Sequence, residues 1–412
     1  MKELADHLRR HANEYRDAVH QHFFNTVLES RQIFSLQMRH THVELAPALA
    51  WAFDRAQRDG TLTPELEEQL TQLGRDHRRH GFPPEIYTDF ANSLIAGFDA
   101  LGLTPYQRQV ASHAVTEIAN VMANAAREAD LEGQAPAFSA QVQSVTRPNR
   151  QTSIITLKAG ADFDYEPGQH MPVTSQLLPG TWRMLTPAHP YSADGELVFH
   201  LAQAGDASSM LAKAQPGDWW ILGPATGQPP QVDSHTVIIT FGTGWATARA
   251  LLLEHLPTLA DAPPRTYAVA PSPGWHYDTI FQANLQALYP KLELHHLVRE
   301  IRDPWLLGAV EPDPSFTPEL APEPIDAVLE HEKQHNDPNK RFLLLGPADR
   351  VELSRAALMN AGISEDAIDE VNWQRGHEWA ASAAQLDGYE DWYAWAEAKR
   401  AEWNSTSRPS GS

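Results

Sequence analysis

The stretch Gln72-Leu-Gly-Arg-Asp-His-Arg-Arg-His-Gly-Phe-Pro-Pro-Glu-Ile-Tyr87 turns one helical pattern into another across a sharp corner. Leu66, Leu70, Leu73 and His77 follow one another at intervals of four, three and four, so they share one side of a helix. His77 therefore points where leucines point. Gly81 supplies a C-terminal cap, Pro83 and Pro84 forbid continuation, and Pro84 suits the first turn of a second helix running to about Leu101. A histidine at the end of an apolar stripe has two readings: a neutral imidazole that holds a metal, or a buried ring satisfied by a backbone carbonyl.

Outward from this corner, residues 1–133 carry helical periodicity and little that favours strands. Segments 20–29, 43–59, 64–79, 84–101 and 105–131 predict at least five helices, hence an all-α domain. Gly133-Gln-Ala-Pro136 reads as a linker. Short alternating runs follow at 138–145, 152–157, 171–175, 182–186, 197–202 and 219–222, which predict a small antiparallel β-barrel within 137–232. From Val237 strands alternate with helices. Strands at 237–241, 266–270, 292–298 and 342–345, with helices near 279–288 and 350–361, predict a parallel α/β sheet within 235–373. Residues 311–339 are rich in Pro and acidic side chains without periodicity and read as a surface excursion. The tail, 374–412, carries Trp379, Trp392, Trp395 and Trp403. It is expected to be helical with a disordered end, and to dock on the body or on a second copy as a homodimer.

The composition narrows the function classes. With 42% apolar and 21% charged residues the chain is globular, and 412 residues predict two or three domains. The balance of 32 basic against 53 acidic residues, a net charge of −21, argues against nucleic acid or anionic lipid as partner. Cysteine is absent, which excludes disulfides, thiolate zinc sites, iron–sulfur clusters and covalently attached c-type haem. No apolar run reaches the roughly eighteen residues of a membrane span, and the N-terminus lacks a signal-peptide core, so a cytoplasmic protein without a membrane partner is expected.

The order of residues at the corner resembles the proximal side of the flavohaemoglobin family, in which a histidine ligates haem iron and a tyrosine ten positions later supports it. His77 and Tyr87 match in identity and spacing. The resemblance extends with gaps over residues 15–373 and implies a globin haem domain, an FAD-binding barrel and an NAD(P)-binding α/β domain. It places Phe24 where the family has a distal tyrosine, Phe34 at a later distal aromatic, and Thr41, between His40 and His42, near the distal helix. A phenyl ring cannot donate the hydrogen bond that a phenol gives to bound oxygen. Ala126 falls where the family carries a glutamate that completes a hydrogen-bonded set with the histidine and tyrosine.

Further along, Pro167-Gly-Gln-His170 and Trp182-Arg-Met-Leu-Thr186 resemble the family's flavin-binding strands. Arg183 and Thr186 match the phosphate-binding arginine and the hydroxyl near the flavin's reactive nitrogen, whereas Leu185 and His170 stand where tyrosines are usual. Gly205-Asp-Ala-Ser208-Ser209 resembles the segment that meets the flavin pyrophosphate. A glycine-rich turn between a strand and a helix lets phosphate approach backbone amides. Gly242-Thr243-Gly244-Trp245-Ala-Thr247 has that form and resembles the family's nicotinamide-nucleotide turn, although Trp245 replaces a small or aliphatic residue and predicts a narrowed cleft. Leu345-Gly346-Pro347 resembles a Cys-Gly-Pro marker beside the nicotinamide, and Trp373 stands at the terminal aromatic that covers the flavin.

What the resemblance implies is an oxidoreductase containing haem b and FAD. Hydride passes from NAD(P)H to FAD, single electrons pass to iron on His77, and dioxygen reacts there with nitric oxide to give nitrate. Phe24, Ala126, His170, Leu185 and Leu345 depart from the family at every stage of that route, which predicts a divergent member. The alternative is a haem-based gas sensor or gas-binding globin whose reductase half has lost electron transfer. In either case O2 and NO are the expected ligands.

Overall fold

The computed structural model describes residues 1–27, 45–81, 83–160, 163–178, 182–203, 206–303, 316–335 and 337–371. Two compact units divide between Ala135 and Pro136, within the stretch read as a linker. Phe34, Thr41, Trp373 and the Trp-rich tail lie outside the described residues.

The described residues of the first unit are helical: α1 (Lys2–Arg10), α2 (Ala12–Thr26), α3 (Leu45–Arg55), α4 (Pro64–His77), α5 (Ile86–Gly97) and α6 (Pro105–Leu131). Local chemistry sets the ends. Thr63 accepts from the Leu66 amide with Pro64 at the first helical position, and Thr104 with Gln107 forms a complete capping box before Pro105. After His77 the helix tightens into one 3₁₀ turn, Arg78–His80, ended by Gly81 at φ 77. α4 crosses α6 closely at Gly74, where a Cβ would lie 2.5 Å from the Met122 carbonyl oxygen. Tyr15, Val19, Phe53, Leu66, Leu70, Phe98 and Val115 share the core. α1, absent from the expected helices, is an amphipathic nine-residue piece that buries Leu4, Ala5 and Leu8.

In the second unit β1 (Phe138–Thr146), β2 (Thr152–Ala159), β3 (Met171–Ser175), β4 (Arg183–Leu185), β5 (Glu196–Ala202) and β6 (Trp219–Leu222) form an antiparallel sheet in the order β4-β3-β6-β1-β2-β5. A bridge between Pro187 and Phe199 joins the chain after β4 to β5, so the sheet curls into a nearly closed barrel. A six-residue helix, α7 (Asp206–Leu211), follows β5.

The second sheet is parallel throughout, in the order β10-β9-β8-β7-β11-β12. Its strands are β7 (Thr236–Phe241), β8 (Arg265–Ala270), β9 (Leu294–Val298), β10 (Glu319–Leu320), β11 (Arg341–Leu345) and β12 (Ile368–Val371). Helices α8 (Trp245–Leu259), α9 (Thr279–Leu288), α10 (Pro324–Glu332) and α11 (Ala348–Asn360) connect them. Every residue of β7 and β8 is buried, so neither strand alternates between apolar and exposed polar residues. Residues 311–339 are not simply a surface excursion, because 319–332 supply β10 and α10. Ile325 and Val328 face inward there, and Glu332, 1% exposed, receives Arg265, Tyr267 and Lys340. Among the described residues no helix is long and apolar enough to cross a membrane.

Three histidines of this unit are desolvated: His200 is buried, and His276 and His296 are half-buried. Desolvation holds His200 and His276 down to about 3 and His296 to about 4. In the unfolded chain each takes up a proton near pH 6.5. Between those values the unfolded state binds more protons, so the stability present above about 6.5 is lost as pH falls toward 3–4. The urea midpoint of the second unit is expected to fall steadily from pH 7 to pH 4.5. His200→Gln, which keeps a partner for Tyr277, is expected to flatten that slope by about one proton; an unchanged slope would assign the acid sensitivity elsewhere.

Candidate functional site

His77 is the last residue of α4 and is half-buried. Its Nδ1–H donates to the Leu73 carbonyl one turn back at 2.9 Å, which fixes the tautomer and puts the lone pair on Nε2, the nitrogen a metal takes. The His80 ring lies 5.6 Å away. Arg78 pins the corner to the end of α6: its Nε donates to Asp130 at 2.7 Å and its Nη2 to the Gln134 carbonyl. Tyr87 opens α5, and burial pushes its phenol up to about 12, so it is neutral at any physiological pH. The Nδ1 bond of His77 goes to Leu73 and not to Tyr87. Ala126 is fully buried while Glu128 is exposed, so a methyl group occupies the position matched to the family's glutamate.

Phe24 is buried on α2, 6.1 Å from Phe23 and 5.6 Å from His20 between ring centroids, and Phe23 meets Phe90 edge-on at 5.1 Å. No cluster of three or more His, Cys, Asp or Glu that could hold a metal occurs among the described residues. A single oriented imidazole fits the donor set of haem iron, whose equatorial ligands come from the porphyrin.

At the barrel mouth Met171 pairs with Leu185, so His170, just before, and Thr186, just after, come to the same end of β3 and β4. Thr186 is 8% exposed and its hydroxyl has no hydrogen-bond partner among the described residues; the same holds for His170 Nδ1. The His170 backbone pairs in both directions with Thr226, and its ring lies against Gly227, where a Cβ would be 2.8 Å from Cε1. Burial lowers the His170 pKa, keeping the ring neutral. Leu185 packs on the barrel core. Arg183 is exposed, with Nη1 on the Trp182 carbonyl at 3.2 Å, and Ser208 and Ser209 are half-buried on α7.

Each buried hydroxyl or imidazole nitrogen left unmade costs about 1–3 kcal/mol, a cost removed if a polar heterocycle lies at this mouth. Thr186→Val keeps the shape and deletes the unmade bond. The unliganded variant is expected to be as stable as the parent or up to about 1 kcal/mol more stable in urea unfolding. A clear loss of stability would reveal a partner for the hydroxyl.

Gly242, Thr243 and Gly244 leave β7 as a 3₁₀ turn and run directly into α8. Gly242 is exposed at φ 54. A Cβ on Gly244 would overlap the Leu345 carbonyl oxygen, and one on Gly346 would lie 2.8 Å from Phe241 Cβ. The two turns therefore meet backbone to backbone where the strand order reverses, which is where doubly wound sheets take ligands. Pro347 precedes α11 as its N-cap. Ser272, at the carboxyl end of β8, is buried with a hydroxyl lacking a partner among the described residues; no motif signalled it.

Trp245 does not narrow the cleft. It is buried in the domain core with Ile238, Leu251, Tyr277 and Leu345, and its indole N–H donates to Asp278 at 2.9 Å. Arg249, Tyr277, Asp278 and His200 gather between the barrel and the parallel sheet from separate segments. The sequence pattern marked none of them.

No protein-family model and no curated protein matches the chain. Among solved structures, flavohaemoglobin from Malassezia yamatoensis, with bound FAD and haem, is 16% identical; the match covers 89% of this chain and 97% of that one at a TM-score of 0.57. The ferredoxin reductase in carbazole 1,9a-dioxygenase is 19% identical over 57% of this chain and 69% of its own, with a TM-score of 0.48. The flavohaem-like FAD/NAD-binding domain of nitric oxide dioxygenase from Vibrio cholerae is 16% identical over 57% and 98%, with a TM-score of 0.44. The first of these shows the fold: an all-α globin, an antiparallel β-barrel and a parallel α/β sheet, in the order found in flavohaemoglobin.

Proposed function

We propose that this chain, which has the flavohaemoglobin fold, is an NAD(P)H-dependent oxidoreductase that holds haem b on His77 and FAD at the barrel mouth, and that converts nitric oxide and dioxygen to nitrate. The observation that carries this reading is the pair of buried polar atoms, Thr186 Oγ1 and His170 Nδ1, that lack a partner among the described residues at one end of β3 and β4. Thr186 would donate to a flavin ring nitrogen, neutral His170 would offer a second polar contact, and Leu185 an apolar one. Arg183 has the exposure to meet phosphate, with Ser208 and Ser209 as further polar groups. Amides of Gly242, Thr243 and Gly244 at the start of α8 would receive the nucleotide pyrophosphate, and Gly346 with Pro347 would border the nicotinamide. When bound, FAD supplies the division of a two-electron donor into single electrons and haem supplies a site for a diatomic gas. His77 provides Nε2, and Phe24 presents a ring that cannot donate a hydrogen bond.

Full-length protein expressed with ample haem and flavin tests the reading. Given NADH or NADPH in air, it is expected to remove nitric oxide and release one nitrate for each. Removal that needs no nicotinamide nucleotide, or that yields no nitrate, would sink it. A second reading, a gas-sensing globin with an inert reductase half, draws on Leu185 at the tyrosine position and on the solvent-facing Arg183. It requires haem uptake without FAD.

A further inference from the structure

A buried chain of contacts joins the glycine-rich turn to the barrel mouth. Trp245 follows Gly244 directly, and its indole N–H donates to Asp278 Oδ2 at 2.9 Å. Arg249, one helical turn along α8, places Nε 3.4 Å from the same oxygen and donates from Nη1 to the Ala188 carbonyl at 2.9 Å. Its guanidinium lies 4.1 Å over the Phe281 ring. Ala188 is held in turn, its amide donating to the Val198 carbonyl at 2.7 Å, and stands two residues from Thr186. A parallel link runs from Tyr277 to His200 Nδ1 on β5 at 3.1 Å.

This arrangement is poorly explained as a stabiliser. Arg249 and Asp278 side chains are each 14% exposed, and burial pushes the carboxyl up and the guanidinium down. The desolvation of such a pair largely offsets its attraction. Asp278 is also the one non-glycine residue with positive φ among the described residues, at 59. What the chain of contacts does accomplish is to fix one turn relative to the other, with a guanidinium that donates to the Ala188 carbonyl on one side and is ion-paired with the Asp278 carboxylate on the other.

We propose that Arg249, together with Asp278 and the Trp245 indole, is a positioning bridge that sets how the glycine-rich turn stands relative to Thr186, and so how a reduced nicotinamide meets the flavin. The proposal rests on the nucleotide and flavin reading above. A displacement of about 1 Å in such an alignment costs on the order of 100-fold in rate while leaving binding largely intact. Lysine, a single point charge on a flexible stem, cannot span the Ala188 carbonyl and the Asp278 carboxylate as the guanidinium does, whereas asparagine keeps an acceptor for the indole and tolerates the left-handed backbone but gives up the charge opposite Arg249.

The test compares full-length, FAD-loaded parent with Arg249→Ala, Arg249→Lys and Asp278→Asn. FAD content, melting midpoint, anaerobic flavin reduction across NADH concentrations, and the charge-transfer absorbance of reduced protein mixed with NAD⁺ are measured for each. For Arg249→Ala the saturating rate is expected to fall about 10- to 100-fold and the charge-transfer absorbance to weaken. Half-saturating NADH and FAD content should stay near the parent's, while the melting midpoint falls because Asp278 is left buried without its cation. Arg249→Lys and Asp278→Asn are each expected to lie between. A parent-like rate in Arg249→Ala, or FAD content that falls in step with the rate, overturns the bridge and leaves the functional reading standing. If Arg249→Ala does not fold, a parent-like rate in Arg249→Lys overturns it equally. A parent that retains no FAD, or whose flavin neither NADH nor NADPH reduces, overturns the reading and the bridge together.

Discussion

Protein in which His77 is replaced by alanine is expected to emerge from haem-supplemented expression without a Soret band, and to regain one when free imidazole is added. His77 Nδ1–H donates to the Leu73 carbonyl, which would hold the ring in position for ligation through Nε2. Losing a supporting hydrogen bond of this kind costs roughly 10–100-fold in metal affinity, and losing the donor atom itself costs more. The scaffold should survive, since Gly81 still ends the helix and Arg78 still ties the corner to Asp130. A Soret band of full intensity in the variant would transfer the ligand to another histidine, and His80, 5.6 Å from His77 between rings, is the first to replace.

The second large effect lies in the parallel sheet. Glu332 accepts from Arg265 Nε at 2.9 and 3.1 Å and from the Tyr267 hydroxyl at 3.0 Å, with Lys340 Nζ 3.5 Å away. Glu332→Ala leaves a buried guanidinium under-compensated, a change that costs about 3–5 kcal/mol when a partner is removed outright. Arg265 keeps Asp337 at 3.4 Å, which favours the lower end. A loss of about 3 kcal/mol corresponds to a melting midpoint lowered by roughly 6–12 °C for a unit of this size. Glu332→Gln, which still accepts hydrogen bonds, should lose about half as much. Melting curves of the two variants decide the matter, and coincidence of both with the parent would show the cluster to be energetically idle.

The order of elements is legible because three different periods follow one another. Leu66, Leu70 and Leu73 repeat as a helix, Trp219 to Leu222 alternate in burial, and Val237 to Phe241 are buried without a break. α10 was hidden by chemistry: Glu332 reads as a solvated charge until Arg265, two segments away, is brought to it. α1 was hidden by its brevity among charged residues. At the site, the apolar face of α4 announces His77, and motif order singles out Thr186 and the glycines. Trp245 was misread because a bulky residue beside a glycine turn suggests an obstructed cleft, whereas the first turn of α8 directs it into the core. Arg249 and Asp278 had no local mark, since a left-handed aspartate and a contact across the barrel surface depend on tertiary placement.

An anaerobic titration of the full-length protein with NADH, following flavin and haem absorbance together, tests for a single electron route through the chain. The flavin is expected to bleach and ferric haem then to become ferrous. Haem accompanied by no flavin, or by flavin that stays oxidised under excess NADH and NADPH, would contradict it.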